Sequence, residues 1–469
     1  MSEGFWELIK EYKQLGFDPL RWIPTCSNEI DSYLFQSSLK KIKRSNIKII
    51  PNWFDAFPYA EGKGIELTRR VYDFDNPKIE KEVEIKRALS IFRIHINTGE
   101  NSALLLEAIQ KFMKGFHSKV LVKKVTTSLT AYSEAQFTLL DYIELHRGDK
   151  VGYISANNSV TRITDPTHRP DSEIHSNIAL TTAMEYLNLL GCTSGFKLFP
   201  IYDAPNEKIL DRIRENLDRF TSRHNLAMED YSSLKIGKLF FGATAIANTL
   251  KELPTRYDQS EEGMQIIISN KFGSMTPASL YMLTEMDQSN ITKFEQNNIG
   301  LDVLATAKDE AMKRLSEPHF SLGKIISKYC PDFETQFDKD IHIAAVHPVA
   351  TDGIFAVGRL AELTNSHIVI NELPMKNEEI AKFATREFLI ENATASTNGC
   401  HLIVATNEVA KSVVEELRKH NFESTVIGFI AKKGKPAVAI EKEISEYVAS
   451  KAKLSRLNSI ARAGSQQTG

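Results

Sequence analysis

Thr351-Asp352-Gly353-Ile354-Phe355-Ala356-Val357-Gly358 decides how this chain is read. A strand over residues 341–346 feeds a turn that holds Thr351 and Asp352. Gly353 lets the backbone bend, and a helix follows over residues 356–363. An aspartate at a strand–helix junction is placed to hold a divalent cation through its carboxylate. The helix N-terminus beside it favours phosphate. An ordinary strand–turn–helix with the aspartate as a cap is the plainer alternative.

The surrounding periodicity is that of an α/β chain. Downstream, 367–370 and 402–405 read as strands, 408–420 as a helix and 424–430 as a strand, with Val409, Val413, Val414 and Leu417 on the buried face of the β-α-β unit. Upstream, 264–269 reads as a strand and 276–285 as a helix with Pro277 in its first turn. A helix covers 303–315. Further back, 196–201 and 239–246 read as strands. A helix begins after Asn206, a plausible N-cap, and another covers 178–190. Residues 119–125 look β-like. Two short strands, 150–154 and 160–163, flank Asn157-Asn158-Ser159, a hairpin-type connection. A helix spans 3–15. In the segment 38–118, a strand at 91–96, a helix at 103–113 and a basic cluster at 40–44 are the only features that emerge. The polar stretch 253–263 marks a domain boundary, and residues from 451 onward read as a basic, frayed tail.

The chain has 469 residues, which suggests about three domains. Its 58 basic and 60 acidic side chains give a formal net charge of -2. Neither sign dominates, which argues against nucleic acid or an anionic membrane as the main partner. The start is amphipathic and lacks the apolar run of a signal peptide. No segment approaches the ~20 apolar residues of a membrane span, so a cytoplasmic protein is expected. Four cysteines, Cys26, Cys192, Cys330 and Cys400, are widely spaced and read as reduced thiols. His168, His175, His347 and His401 show no metal-ligand spacing and read as structural or surface residues.

Residues 347–363, His347-Pro348-Val349-Ala350 through Arg359-Leu360-Ala361-Glu362-Leu363, resemble the second-domain motif of selenophosphate synthetases, in the superfamily of aminoimidazole ribonucleotide synthetase. Thr394-Ala395-Ser396-Thr397-Asn398-Gly399-Cys400 looks like that family's Thr-Ser-Gly-Gly strand entry, and Val426-Ile427-Gly428 like the strand end that follows. Ser269-Asn270-Lys271-Phe272-Gly273 resembles its Thr-Lys-Pro-Leu-Gly segment. Ile163-Thr164-Asp165, Gly148-Asp149-Lys150-Val151 and the helix carrying Glu185 resemble first-domain landmarks, and Thr25-Cys26-Ser27 the mobile leader.

The resemblance implies an α/β (α+β), two-domain synthetase fold with an N-terminal extension. It implies a leader at 1–35, an unplaced insertion at 36–140, a first domain at 141–255, a second at 262–445 and a tail at 446–469. It further implies ATP and Mg2+ as cofactors, a homodimer, and phosphoryl transfer to a small sulfur, selenium or other acceptor. Asp149, Glu185 and Asp352 would bind metal. Lys271, Asp165, Thr351, Asn398 and Gly399 would line the nucleotide site, and Cys26 would be the leader thiol. Some positions depart from the pattern. Glu29 stands where the leader has Lys, Cys400 replaces the second glycine of Thr-Ser-Gly-Gly, and the turn near Ala227-Met228-Glu229-Asp230 lacks the family's glycines and histidine. These departures fit an alternative, a relative that binds a nucleotide, a sulfur compound or a partner without turnover.

Overall fold

In the computed structural model the described residues are 3–21, 54–58, 65–69, 120–130, 137–147, 151–158, 165–230, 237–333, 335–440, 446–449 and 454–467. Cys26, Asp149 and the expected elements at 91–96, 103–113 and 160–163 lie outside them.

The first sheet contains β3 (Val120–Thr130), β4 (Phe137–Arg147), β5 (Val151–Asn158), β6 (Ser194–Asp203), β7 (Ala227–Met228) and β8 (Phe240–Thr249), in the order β3-β4-β5-β8-β6-β7. The second contains β9 (Gln265–Ile268), β10 (Ala345–Pro348), β11 (Ser366–Ile370), β12 (His401–Ala405), β13 (Thr425–Lys433) and β14 (Ala437–Ile440), in the order β10-β12-β9-β13-β11-β14. A small hairpin pairs β1 (Phe54–Pro58) with β2 (Ile65–Arg69). This is the mixed α/β class with two mixed sheets.

The helices are α1 (Glu3–Gln14), α2 (Glu173–Leu189), α3 (Glu207–His224), α4 (Thr276–Met286), α5 (Ser289–Glu295), α6 (Leu301–Ser316), α7 (Phe320–Lys328), α8 (Phe355–Thr364), α9 (Glu378–Arg386), α10 (Asn407–Lys419) and α11 (Arg456–Gln467). Asn206 caps α3 as its sequence suggests, its side chain accepting from Ile209 N at 3.0 Å. Asn206→Ala is expected to cost about 1 kcal/mol of stability, measurable by urea unfolding.

Side-chain alternation splits the second sheet between two cores. Ile267 and Ile403 join the core that holds α2, β6, β8 and α10. Ile266, Ile268, Leu402 and Val404 face the core built with α1, α4, α8 and α11. Helix α2 is buried nearly all round. It packs on β5 and β8 on one side and against α6 and α7 on the other, which places it between the two halves of the molecule.

Three expectations change. Asn157 and Asn158 belong to β5, opposite Thr244 and Ala243 of β8. Pairing of a strand flanked by β4 and β8 outweighs their turn preference. The strand expected at 341–346 begins only at Ala345; Ile341 is exposed, and Ile343 N bonds back to Tyr329 O. The tail is not frayed throughout, because α11 buries Leu457 and Ala461 in the second core.

Candidate functional site

Three loops meet at one end of the second sheet. Chain direction and register bring them there: Ile268, the last residue of β9, lies opposite Leu402 at the start of β12 and Thr425 at the start of β13. Asn270 ties two of these loops together. Its Nδ2 donates to Gly399 O at 2.8 Å, and its Oδ1 accepts from Glu423 N at 3.0 Å. Ser269 Oγ also donates to Gly399 O, at 2.7 Å.

Lys271 follows directly. Its Nζ lies 3.7 Å from Glu423 Oε1, while Lys376 Nζ and Arg314 Nη2 each lie 3.4 Å from Glu423 Oε2. Lys376 also reaches Glu310 at 3.8 Å. Burial alone would raise the Glu423 pKa, but the charges of Lys376, Arg314 and Lys271 hold it below the usual glutamate value. All four side chains remain partly exposed, so three cations that face two carboxylates present a positive surface to solvent.

Glu185, projecting from α2, meets the second sheet at the same end. Its Oε2 lies 3.0 Å from His319 Nδ1 and its Oε1 2.6 Å from His401 Nε2, and Gly399 N donates to Oε1. The carboxyl is almost fully buried, which would raise its pKa. The two histidines outweigh burial and hold it far below the ordinary value. Asn398 Nδ2 donates to Thr182 Oγ1 and Leu315 O, both at 3.1 Å, joining the turn to α2 and α6.

Asp165, just ahead of α2, occupies a separate buried setting. Its Oδ2 pairs with Lys308 Nζ at 3.1 Å and His168 Nε2 at 3.4 Å, and its Oδ1 accepts from Thr167 Oγ1 at 2.5 Å. Burial opposes the charged form. A hydrogen bond from His168 and the charge of Lys308 nonetheless keep this carboxyl well below the usual range. Lys308 Nζ also lies over the Tyr281 ring, 4.8 Å from its centroid.

The opening turn is pinned by the segment before β12. Residues Ala350–Asp352 form a short 3-10 turn, and Gly353 takes φ 57° and ψ -131°, a region that essentially only glycine occupies. A Cβ there would meet Thr394 backbone atoms at 2.6 Å. Ile354 N donates to Thr394 Oγ1 at 2.9 Å, Asn392 Nδ2 to Asp352 O at 3.1 Å, and Ser396 N to Ala350 O at 2.7 Å.

The structure therefore brings together Lys271, Glu185, Asn398 and Gly399. Asp165 and the Thr351–Asp352 turn stand in settings of their own. Among the described residues, no group of three His, Cys, Asp or Glu side chains is arranged to hold a metal ion. Magnesium is a poor fit for Glu185, since nitrogen donors already engage both of its oxygens. Arg314, Lys376, Glu423, His319 and Lys308 carry no local motif. They come from distant loops and helices, and only the tertiary fold assembles them.

Cys192, Cys330 and Cys400 are buried free thiols, as expected, and burial pushes Cys330 and Cys400 up to about 12. No described helix is long and apolar enough to cross a membrane.

No family model matches the chain, and no curated protein matches it. Similar solved structures include thiamine-monophosphate kinase from Stenotrophomonas maltophilia, at 14% identity and TM-score 0.43, covering 72% of this chain and 95% of that one. Hydrogenase maturation protein HypE in complex with ATP is 14% identical at TM-score 0.45, over 70% of this chain and 91% of that one. AaThiL complexed with AMPPCP and TMP is 13% identical at TM-score 0.44, over 75% and 95%. Each of these likenesses is structural and divergent.

Proposed function

We propose that this chain binds a nucleotide, ATP by the family resemblance, with Lys271, Arg314 and Lys376 as phosphate contacts. One observation carries the proposal: three cations from separate elements converge on the single side chain of Glu423 at an open loop junction. A carboxylate shared three ways leaves positive charge available. A polyphosphate satisfies it, because charge-assisted hydrogen bonds to phosphate oxygens are strong and an Arg fork binds two at once. Asn398 and Gly399 act here by shaping the adjoining turn.

The binding relative without turnover is favoured over a phosphotransferase. Glu185 and Asp165, which the resemblance assigns to metal and nucleotide, are each already engaged by nitrogen-bearing side chains of the protein itself, Glu185 by His319 and His401 and Asp165 by Lys308. The resemblance gives Asp149 and Asp352 to magnesium and Thr351 to the nucleotide, while Asp165 serves in this reading as a support for the fold. Phosphoryl transfer to a sulfur or selenium acceptor with Cys26 as leader thiol, a homodimer and a cytoplasmic location belong to the second, phosphotransferase reading.

Calorimetric titration with ATP, with and without magnesium, tests the proposal. Binding is expected in both conditions, and Lys271→Ala is expected to weaken it about tenfold, the value of one charge-assisted contact. Absence of heat at high protein concentration contradicts it. Release of phosphate in the presence of magnesium and a sulfide or selenide acceptor turns the balance to the phosphotransferase.

A further inference from the structure

His319 bonds to Glu185 and lies within electrostatic reach of Arg314, a member of the cation cluster. It immediately precedes α7, and its Nδ1 lies 3.0 Å from Glu185 Oε2. The opposite nitrogen, Nε2, has no hydrogen-bond partner among the described residues and is not sealed in the interior; the side chain keeps 17% exposure. The ring packs on Gly399, where an added Cβ would come 3.0 Å from Nε2, and on Phe422, with ring centroids 6.4 Å apart. Both neighbours border the cluster. Gly399 O accepts from Asn270, the residue before Lys271, and Phe422 precedes Glu423. A carboxylate on Nδ1 fixes the proton there and leaves Nε2 to act outward.

We propose that His319, oriented by Glu185, is the fourth cationic group of the Lys271–Arg314–Lys376 site and donates from Nε2 to the terminal phosphate of the bound ligand, so that binding tightens as the ring gains a proton. The proposal rests on the nucleotide-binding reading above.

The surrounding charges favour the protonated ring. Burial pulls the His319 pKa down. The Glu185 carboxylate, through charge and hydrogen bond, more than offsets this and sets it above the usual histidine value, with Arg314 opposing and Glu317 supporting. His401 faces the other oxygen of Glu185, and Cys400 remains a neutral thiol. Glu185 is a positioning residue here; no part of it meets the ligand. The sign follows directly. The contribution of His319 is complete below its pKa and lost as pH rises through a value above that of free histidine.

The test compares ATP affinity of the wild type and His319→Gln between pH 6 and pH 9. Phosphate titrates equally in both measurements, so the ratio isolates the ring. The wild type is expected to bind about tenfold tighter at pH 6, and the two proteins to converge at pH 9. A ratio that does not change with pH overturns the proposal while leaving nucleotide binding intact. Absence of ATP binding by the wild type at every pH overturns both. A measurement on the wild-type protein covers the case in which the variant misfolds. Histidine-selective NMR should show ATP raising the titration midpoint of one of the 12 histidines; twelve unmoved midpoints contradict the proposal.

Discussion

Glu185→Ala is expected to destabilise the folded chain by about 3–5 kcal/mol, the cost of stripping one partner from a buried ion pair. The substitution leaves His319 and His401 facing an apolar gap, and Gly399 N without its acceptor. It also removes one of the contacts that tie α2 to the second sheet, alongside that of Thr182 with Asn398. Urea unfolding measures the loss. Stability within about 1 kcal/mol of the wild type would mean that the two histidines do not depend on this carboxylate. The isosteric Glu185→Gln keeps the shape and some hydrogen bonding, so it should fall between the two.

Lys308→Ala is the second large effect, also about 3–5 kcal/mol, because Asp165 then stays buried without its closest cation. Asp165 and Lys308 are both almost wholly enclosed, and they join α6 to the start of α2. Replacing both, as Asp165→Leu with Lys308→Met, should recover most of the loss, since no uncompensated charge remains. The pair also fixes the direction of the acid response. The Asp165 carboxyl lies below its ordinary value, so its stabilisation is present above the unfolded-state pKa of about 4 and disappears as pH falls below it. Glu185 behaves alike. Lys308→Ala should therefore show a shallower loss of stability than the wild type between pH 5 and pH 3 when unfolding is followed across that range. An identical slope contradicts the assignment.

Much of the fold was legible in the sequence, because most elements repeat their apolar positions at the period of one structure. The βαβ unit of β12, α10 and β13 is the clearest case: Val409, Val413, Val414 and Leu417 are all buried. Asn206 carried its cap signal in plain view. Asn157-Asn158 misled, since turn preference is local while β5 is held by strands on both sides. The tail misled by composition: α11 is polar on average, yet Leu457 and Ala461 fall on one face and dock. Of the site, Lys271, Asn398, Gly399 and Glu185 stood in recognisable motifs and do converge. Arg314, His319, Lys376 and Glu423 had no such signal. Their proximity is created by loop ends and a helix that meet only after both halves pack on α2. The histidines looked unremarkable in sequence for the same reason. His401 becomes a partner of Glu185 only because β12 starts where α2 crosses the sheet end.

The most direct measurement is equilibrium dialysis of ATP against the Lys271→Ala, Lys376→Ala double variant, with the exposed pair Lys10→Ala, Lys411→Ala as a charge-matched control. Two lost phosphate contacts predict a fall in affinity on the order of 100-fold for the double variant and wild-type affinity for the control. Equal ATP affinity in the double variant and the wild type would place any nucleotide elsewhere and contradict the assignment of this site.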